Sequence, residues 1–282
     1  MKTIVRLTLL EMLKKKILYL TLALTAIFLI LYGTAMNYGY DSLREAEPLM
    51  RIAVSGQFLS MGIYALGFII SFLSIFASVG SISSEIEQGN YDAILSKPIS
   101  RYEVVVGRYI GVLLVLIPYV TFFYLSVIGL NLFFGEGVVA NIPVINVIRS
   151  LAVLYLLPTL LSSTGLFLST NLSTMGAGVT LVILYFCGMV GGILEQIGYF
   201  ITGEAKAVLT NIGIATSLVI PSDIVYRKAS SILYTTSSGM NFSVDNMLGA
   251  SIQPSSLMLF YIGFYIIIMI ALAIRKFQIR DL

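Results

Sequence analysis

The 282-residue chain is 58% hydrophobic and only 11% charged, with a formal net charge of +3 and no histidine. Soluble domains carry roughly a quarter charged residues, so these proportions exclude an ordinary water-soluble fold and fit lipid as the solvent. The lack of histidine removes His–metal sites and Ser–His triads. The lone Cys187 can form no internal disulfide, and no basic patch with interleaved aromatics marks a nucleic-acid partner.

Taken in chain order, residues 1–16 place Val5, Leu9, Met12 and Leu13 on one helical face with Thr8, Glu11 and Lys15 roughly opposite. Lys2 and Arg6 flank that face, so two readings stand: a helix lying in the inner membrane interface, or a positively charged anchor for the first span. Six stretches are then long and apolar enough to cross a bilayer core of about 30 Å. They are Ile17–Met36, Gln57–Ile82, Val104–Phe133, Val144–Leu168, Met175–Ile197 and Ser256–Ile274. The first is longer than a signal-peptide core and lacks a small-residue cleavage site, so it reads as an uncleaved span. Lysine and arginine cluster at Lys14–Lys16, at Lys97, Arg101 and Arg108, and at Arg275, Lys276 and Arg280. By the positive-inside rule these loops face the cytoplasm, with both termini inside a multi-pass cell-membrane protein.

The expected architecture is therefore all-α: one transmembrane domain, 1–282, with six membrane helices, an N-terminal interface helix over 1–16 and a cytoplasmic segment over 84–108. An extracytoplasmic or partly re-entrant segment spans 198–255. Within it Val208–Ile220 is too apolar for a plain linker, and Pro221, Ser222 and Asp223 suit the start of a short helix over Asp223–Leu233. Glu195 stands near the outer end of span five, where snorkelling to the surface is expected. Gly188-x-x-x-Gly192 permits close helix approach, either within the chain or to another copy.

The most informative stretch is Ser84–Arg108, SEIEQGNYDAILSKPISRYEVVVGR. Gly89 suits the left-handed turn that ends span two, Asn90 suits a helix cap, and Asp92 favours the positive end of the new helix. Pro98 stops that helix after about two turns, and Ser100 with Glu103 forms a capping box that opens span three. A short rigid helix results, with Tyr91, Ile94 and Leu95 on one face. Such a knob fits either a groove on another protein or the lipid headgroups.

Glu85, Glu87, Gly89, Leu95, Ser96, Lys97, Pro98, Ser100, Arg101 and Gly107 resemble the signature of type-2 ABC exporter permeases, E-x-E-x-G-T-x(4–5)-L-x-K/R-P-x-S/T-R-x(5)-G-K. Asn90 stands where Thr is usual and Arg108 where Lys is usual. The ending Phe277–Leu282, the six spans and the long segment before span six are similar too, so the resemblance covers the whole chain. It is nearest the subfamily containing the permease of the nitrous-oxide reductase maturation system. The resemblance implies that Tyr91, Asp92, Ile94, Leu95, Lys97 and Pro98 form a coupling helix for the ATPase. It also implies that Glu85, Glu87 and Arg101 belong to a cytoplasmic gate, with Glu103 among the helix-end charges. Their alternative reading is solvated charge at helix ends.

The chain has no G-x-x-x-x-G-K-[ST] phosphate loop, so it is expected to bind no cofactor itself and to leave ATP and Mg to a partner. The expected assembly is two ATP-binding-cassette ATPase subunits with a second permease, identical or related, in a lipid bilayer and without nucleic acid. The alternatives are a secondary transporter, which would place ionisable groups near mid-membrane, and a structural or receptor subunit without an ATPase. No constellation for a membrane-embedded enzyme is present.

Overall fold

The computed structural model describes residues 1–42, 48–87, 89, 100–134, 142–234 and 254–279. The described residues form helices: α1 Lys2–Lys14, α2 Lys16–Ser42, α3 Pro48–Val79, α4 Ser83–Glu87, α5 Arg101–Phe134 and α6 Val144–Leu154. They continue as α7 Leu156–Asn171, α8 Thr174–Phe200, α9 Glu204–Val219, α10 Ser222–Tyr234 and α11 Ser256–Ile279. Among the described residues, six helical stretches are long and apolar enough to cross a membrane: Lys16–Ser42, Val54–Glu87, Arg101–Phe134, Val144–Asn171, Thr174–Gly198 and Ser256–Ile279. Each contains the corresponding span expected from the sequence. The chain is thus an all-α, multi-pass membrane protein.

The helix α3 is the axis of the bundle. Its most apolar stretch is 72% buried within the protein, against 22% for α2 and 11% for α11. Leu66, Ile70 and Leu73 of α3 sit in one core with Leu116, Val120 and Phe123 of α5 and Leu157, Leu160 and Leu161 of α7. By contrast Leu20, Ile30 and Leu31 of α2 and Phe260, Phe264 and Ile267 of α11 face outward, the arrangement lipid solvation calls for. Buried hydroxyls mostly return to the carbonyl one turn back, as Ser71, Ser74 and Ser78 do on α3, which keeps them satisfied without water. Between helices, Asn131 donates to the Tyr32 hydroxyl at 2.9 Å and Tyr32 donates to the Phe58 carbonyl at 2.7 Å, tying α5, α2 and α3. The fourth span breaks at Tyr155, three residues before Pro158. Thr159 covers the Tyr155 and Leu156 carbonyls, and Ser163 and Thr164 both donate to Leu160.

The N-terminal helix departs from the expected face. Ile4, Thr8 and Met12 are the buried positions of α1, whereas Val5 and Leu9 are half-buried and Leu13 is exposed. The cause lies on α5, where Gly107 and Gly111 leave a trough. A Cβ on Gly107 would stand 2.9 Å from Ile4 Cγ2, and one on Gly111 would stand 2.6 Å from Thr8 Cβ. Ile4 and Thr8 face that trough, so the stripe Ile4–Thr8–Met12 is the buried one in place of Val5, Leu9 and Leu13.

The segment after span five is also specific. The helix α9 folds back antiparallel along α8, with Thr210 meeting Gly198, Gly213 meeting Glu195, Thr216 meeting Gly191 and Ile220 meeting Gly188. Gly188 stands about 20 Å along α8 from Thr174, close to its midpoint. There the chain turns by 102° into α10. The glycines of α8 therefore serve packing within the chain: a Cβ on Gly188 would meet Ile220 Cγ2 at 2.7 Å, and the space beside Gly192 is filled by the Asp223 carboxylate. The helix expected over Asp223–Leu233 is present as α10. Glu195 does not snorkel. It is 8% exposed and accepts from Arg227 Nη2 of α10 at 2.6 Å, because α9 and α10 screen it from the surface and supply a counter-charge.

Candidate functional site

The start of α1 and the end of α11 lie at one end of the bundle. The N-terminal ammonium lies 3.4 Å from Glu103 at the start of α5. Two residues earlier Arg101 Nη1 donates to the carbonyls of Phe277 (3.2 Å) and Gln278 (2.9 Å) at the end of α11. A guanidinium on the last carbonyls of a helix satisfies groups that have no intrahelical partner and complements the helix dipole. Ser100 precedes α5 as expected, and its carbonyl accepts the Glu103 amide at 3.0 Å. The Glu103 side chain reaches the N-terminus.

Arg108 is the centre of this end. It stands two turns into α5, is 1% exposed, and forks between two carboxylates: Nη1 donates to Glu11 of α1 and Nη2 to Glu85 of α4. Lys15 lies 3.9 Å from Glu11, so two acids and two bases balance. Burial pushes the Lys15 ammonium below its ordinary range, Glu11 pulls it back up, and Arg108 adds to the lowering. A buried guanidinium of this kind is tolerated only with its partners in place, and the fork geometry suits Arg better than Lys. One residue before it, Gly107 admits α1. The last two residues of the resemblance motif thus provide the seat for α1 and the charge that holds it.

The short helix α4 is pinned from the other side. Ser169 Oγ of α7 accepts the amides of Ile82 (3.2 Å) and Ser83 (2.9 Å). Glu87 accepts the Thr174 amide at 2.8 Å and the Thr174 hydroxyl at 3.0 Å, adding an anionic cap to α8 beside the ordinary cap from Ser173. Gly89 has φ of 70°, the left-handed turn its sequence position calls for.

The expected site residues therefore separate. Glu85 joins Arg108, Glu87 caps α8, Arg101 ends α11 and Glu103 meets the N-terminus. They do not form one cluster, although all act at the same end. Tyr91, Asp92, Ile94, Leu95, Lys97 and Pro98 lie outside the described residues. Sequence reasoning missed Glu11 and the role of Arg108. Its available signal was an arginine two turns inside a span, a position where a charge requires a partner.

A family model described as ABC-2 family transporter protein matches residues 3–282. No curated protein matches the chain. Matched over almost its whole length and built as six membrane helices, the chain belongs to the ABC-2 transporter family and is the membrane-spanning permease subunit of an ABC transporter, a kind of subunit that associates with an ATP-binding partner.

Proposed function

We propose that this permease is the membrane half of an ATP-driven exporter. In this reading two ATP-binding-cassette ATPase subunits, carrying ATP and Mg, dock on segment 91–98 from the cytoplasm, and a second permease copy or homologue completes the path. Tyr91, Ile94 and Leu95 supply an apolar knob, Asp92 and Lys97 its charged rim, and Pro98 its end. Closure of the ATPase pair moves the knob as a rigid body. Segment 198–255 enters the membrane partway from the outer face, and the chain sits in the cell membrane with both termini inside. The nitrous-oxide reductase maturation permeases are the proposed subfamily, on the motif resemblance.

What supports this reading is the anchoring of the segment 84–108 at both ends. Glu85, entering it, and Arg108, leaving it, share an ion pair that also grips α1 through Glu11. A displacement applied between them is delivered to α3, α5 and α1 together. The start of α1 and the end of α11, together at one basic end of the bundle, support the proposed orientation.

The test is co-expression with an ATPase encoded beside this chain, purification through a tag on the permease, and measurement of ATP turnover after reconstitution. Co-elution with altered turnover is expected. Leu95→Asp is expected to weaken ATPase retention while leaving membrane insertion intact. Unchanged retention would overturn the coupling assignment, and failure to bind that ATPase or related ones would overturn the ATP-driven reading.

A further inference from the structure

A second buried charge group lies on the C-terminal half of α8: Glu195 stands about 7.5 Å, and Gly192 with the Asp223 carboxylate beside it about 12 Å, along the helix from its end at Phe200. Arg227 donates to Glu195 at 2.6 Å, and its Nε lies 2.7 Å from Asp223 Oδ2. Two carboxylates on one guanidinium leave one negative charge in excess. Asp223 lines a cavity of about 30 Å³ between α3, α7, α8 and α10, room for about one or two water-sized guests. Around it stand Tyr64 and Ser71 of α3, Tyr185 of α8, and Ser222 and Tyr226 of α10.

The polar atoms of this cavity are incompletely used. Ser222 is 2% exposed and its hydroxyl has no partner among the described residues. Asp223 Oδ2 has Arg227 Nε as its one charged partner among the described residues. The described residues bring no three His, Cys, Asp or Glu side chains together as a multivalent metal would need. What remains is a pocket of carboxylate and hydroxyl oxygens with one excess negative charge, at a depth where an unbalanced charge is costly.

We propose that this cavity binds one dehydrated monovalent cation, held by the Asp223 carboxylate and the Ser222 hydroxyl within the Tyr64–Tyr185–Tyr226 wall. The cation neutralises the Glu195–Arg227–Asp223 group and fastens the turn between α9 and α10 to α3 and α8. Sodium, potassium and ammonium share the required chemistry. The site belongs to this chain alone and does not depend on the ATPase reading.

The experiment is thermal unfolding of the full chain in lipid nanodiscs, titrated with sodium, potassium or ammonium chloride. N-methyl-D-glucamine chloride, whose cation is too bulky to enter, keeps ionic strength constant. At least one small cation is expected to raise the midpoint saturably, and the arm that does so identifies the ion. Asp223→Asn is expected to abolish the dependence. Ser222→Ala, which removes a hydroxyl without a partner among the described residues, is expected to raise the half-saturating concentration by about tenfold. Equal midpoints in all four salts, or a Ser222→Ala curve superimposed on the parent's, would overturn the proposal.

Discussion

Glu85 and Arg108, 23 positions apart, close the segment between the second and third spans into a loop whose two ends are joined by an ion pair. The same guanidinium holds Glu11, so the loop, the N-terminal helix and the third span share one node. The energetics of such a node are asymmetric. Removing the arginine leaves two carboxylates facing each other, whereas removing one carboxylate leaves the arginine still paired.

Arg108→Ala is therefore expected to cost about 3–5 kcal/mol, and Glu85→Gln clearly less, measured as unfolding of the permease in nanodiscs. The double exchange of Glu85→Arg with Arg108→Glu is expected to rescue only in part. Its new carboxylate at position 108 would face Glu11. Full rescue would show that Glu11 contributes nothing to the node.

The seat of α1 makes a separate prediction. Gly111→Val would drive side-chain carbons into Thr8, already 2.6 Å from an ideal Cβ at that position, and lever α1 off α5. In a Cys187→Ser background, a cysteine at Thr8 is expected to react slowly with maleimide in the parent and several times faster beside Gly111→Val. Equal rates would mean that α1 does not depend on this trough.

The six spans were legible in the sequence because each is a long apolar run bounded by charge or by turn residues, a signal that survives any detail of packing. Gly89 and the start of α10 were legible for the same local reason, since a left-handed turn and a helix cap are written in neighbouring residues. Glu195 was misread because its partner Arg227 is 32 positions away and no periodicity connects them. The buried face of α1 was misread because hydrophobicity ranked Leu9 and Leu13 above Thr8, whereas Gly107 and Gly111 of α5 seat the stripe that carries Ile4 and Thr8. Gly107 and Arg108 were visible as motif letters, yet their physical work appears only once α1 is laid against them.

The glycines of α8 offer an internal contrast. A Cβ on Gly178 would meet Val79 at an ordinary 3.5 Å, while one on Gly192 would occupy the place of the Asp223 carboxylate. Gly178→Ala is expected to leave stability unchanged or raise it by up to about 1 kcal/mol through helix propensity. Gly192→Ala is expected to lower stability by about 1–3 kcal/mol. Comparable unfolding curves for the two variants would show that α10 does not rest on α8 as described.

Orientation can be tested from geometry. Asp41 stands 25 residues beyond Lys16 on the continuous helix α2, about 37 Å at 1.5 Å per residue, which exceeds a bilayer core of about 30 Å. Asp92 lies in the segment that leaves α4 and returns at α5, both at the end where Met1 meets Glu103 and Arg101 meets the end of α11. In a Cys187→Ser background, Asp41→Cys is expected to react with a membrane-impermeant maleimide on intact cells, and Asp92→Cys only after permeabilisation. The reverse pattern would invert the proposed orientation. Labelling of both on intact cells, or of neither until permeabilisation, would contradict the span count between them, because the crossing by α3 must place these two residues on opposite faces.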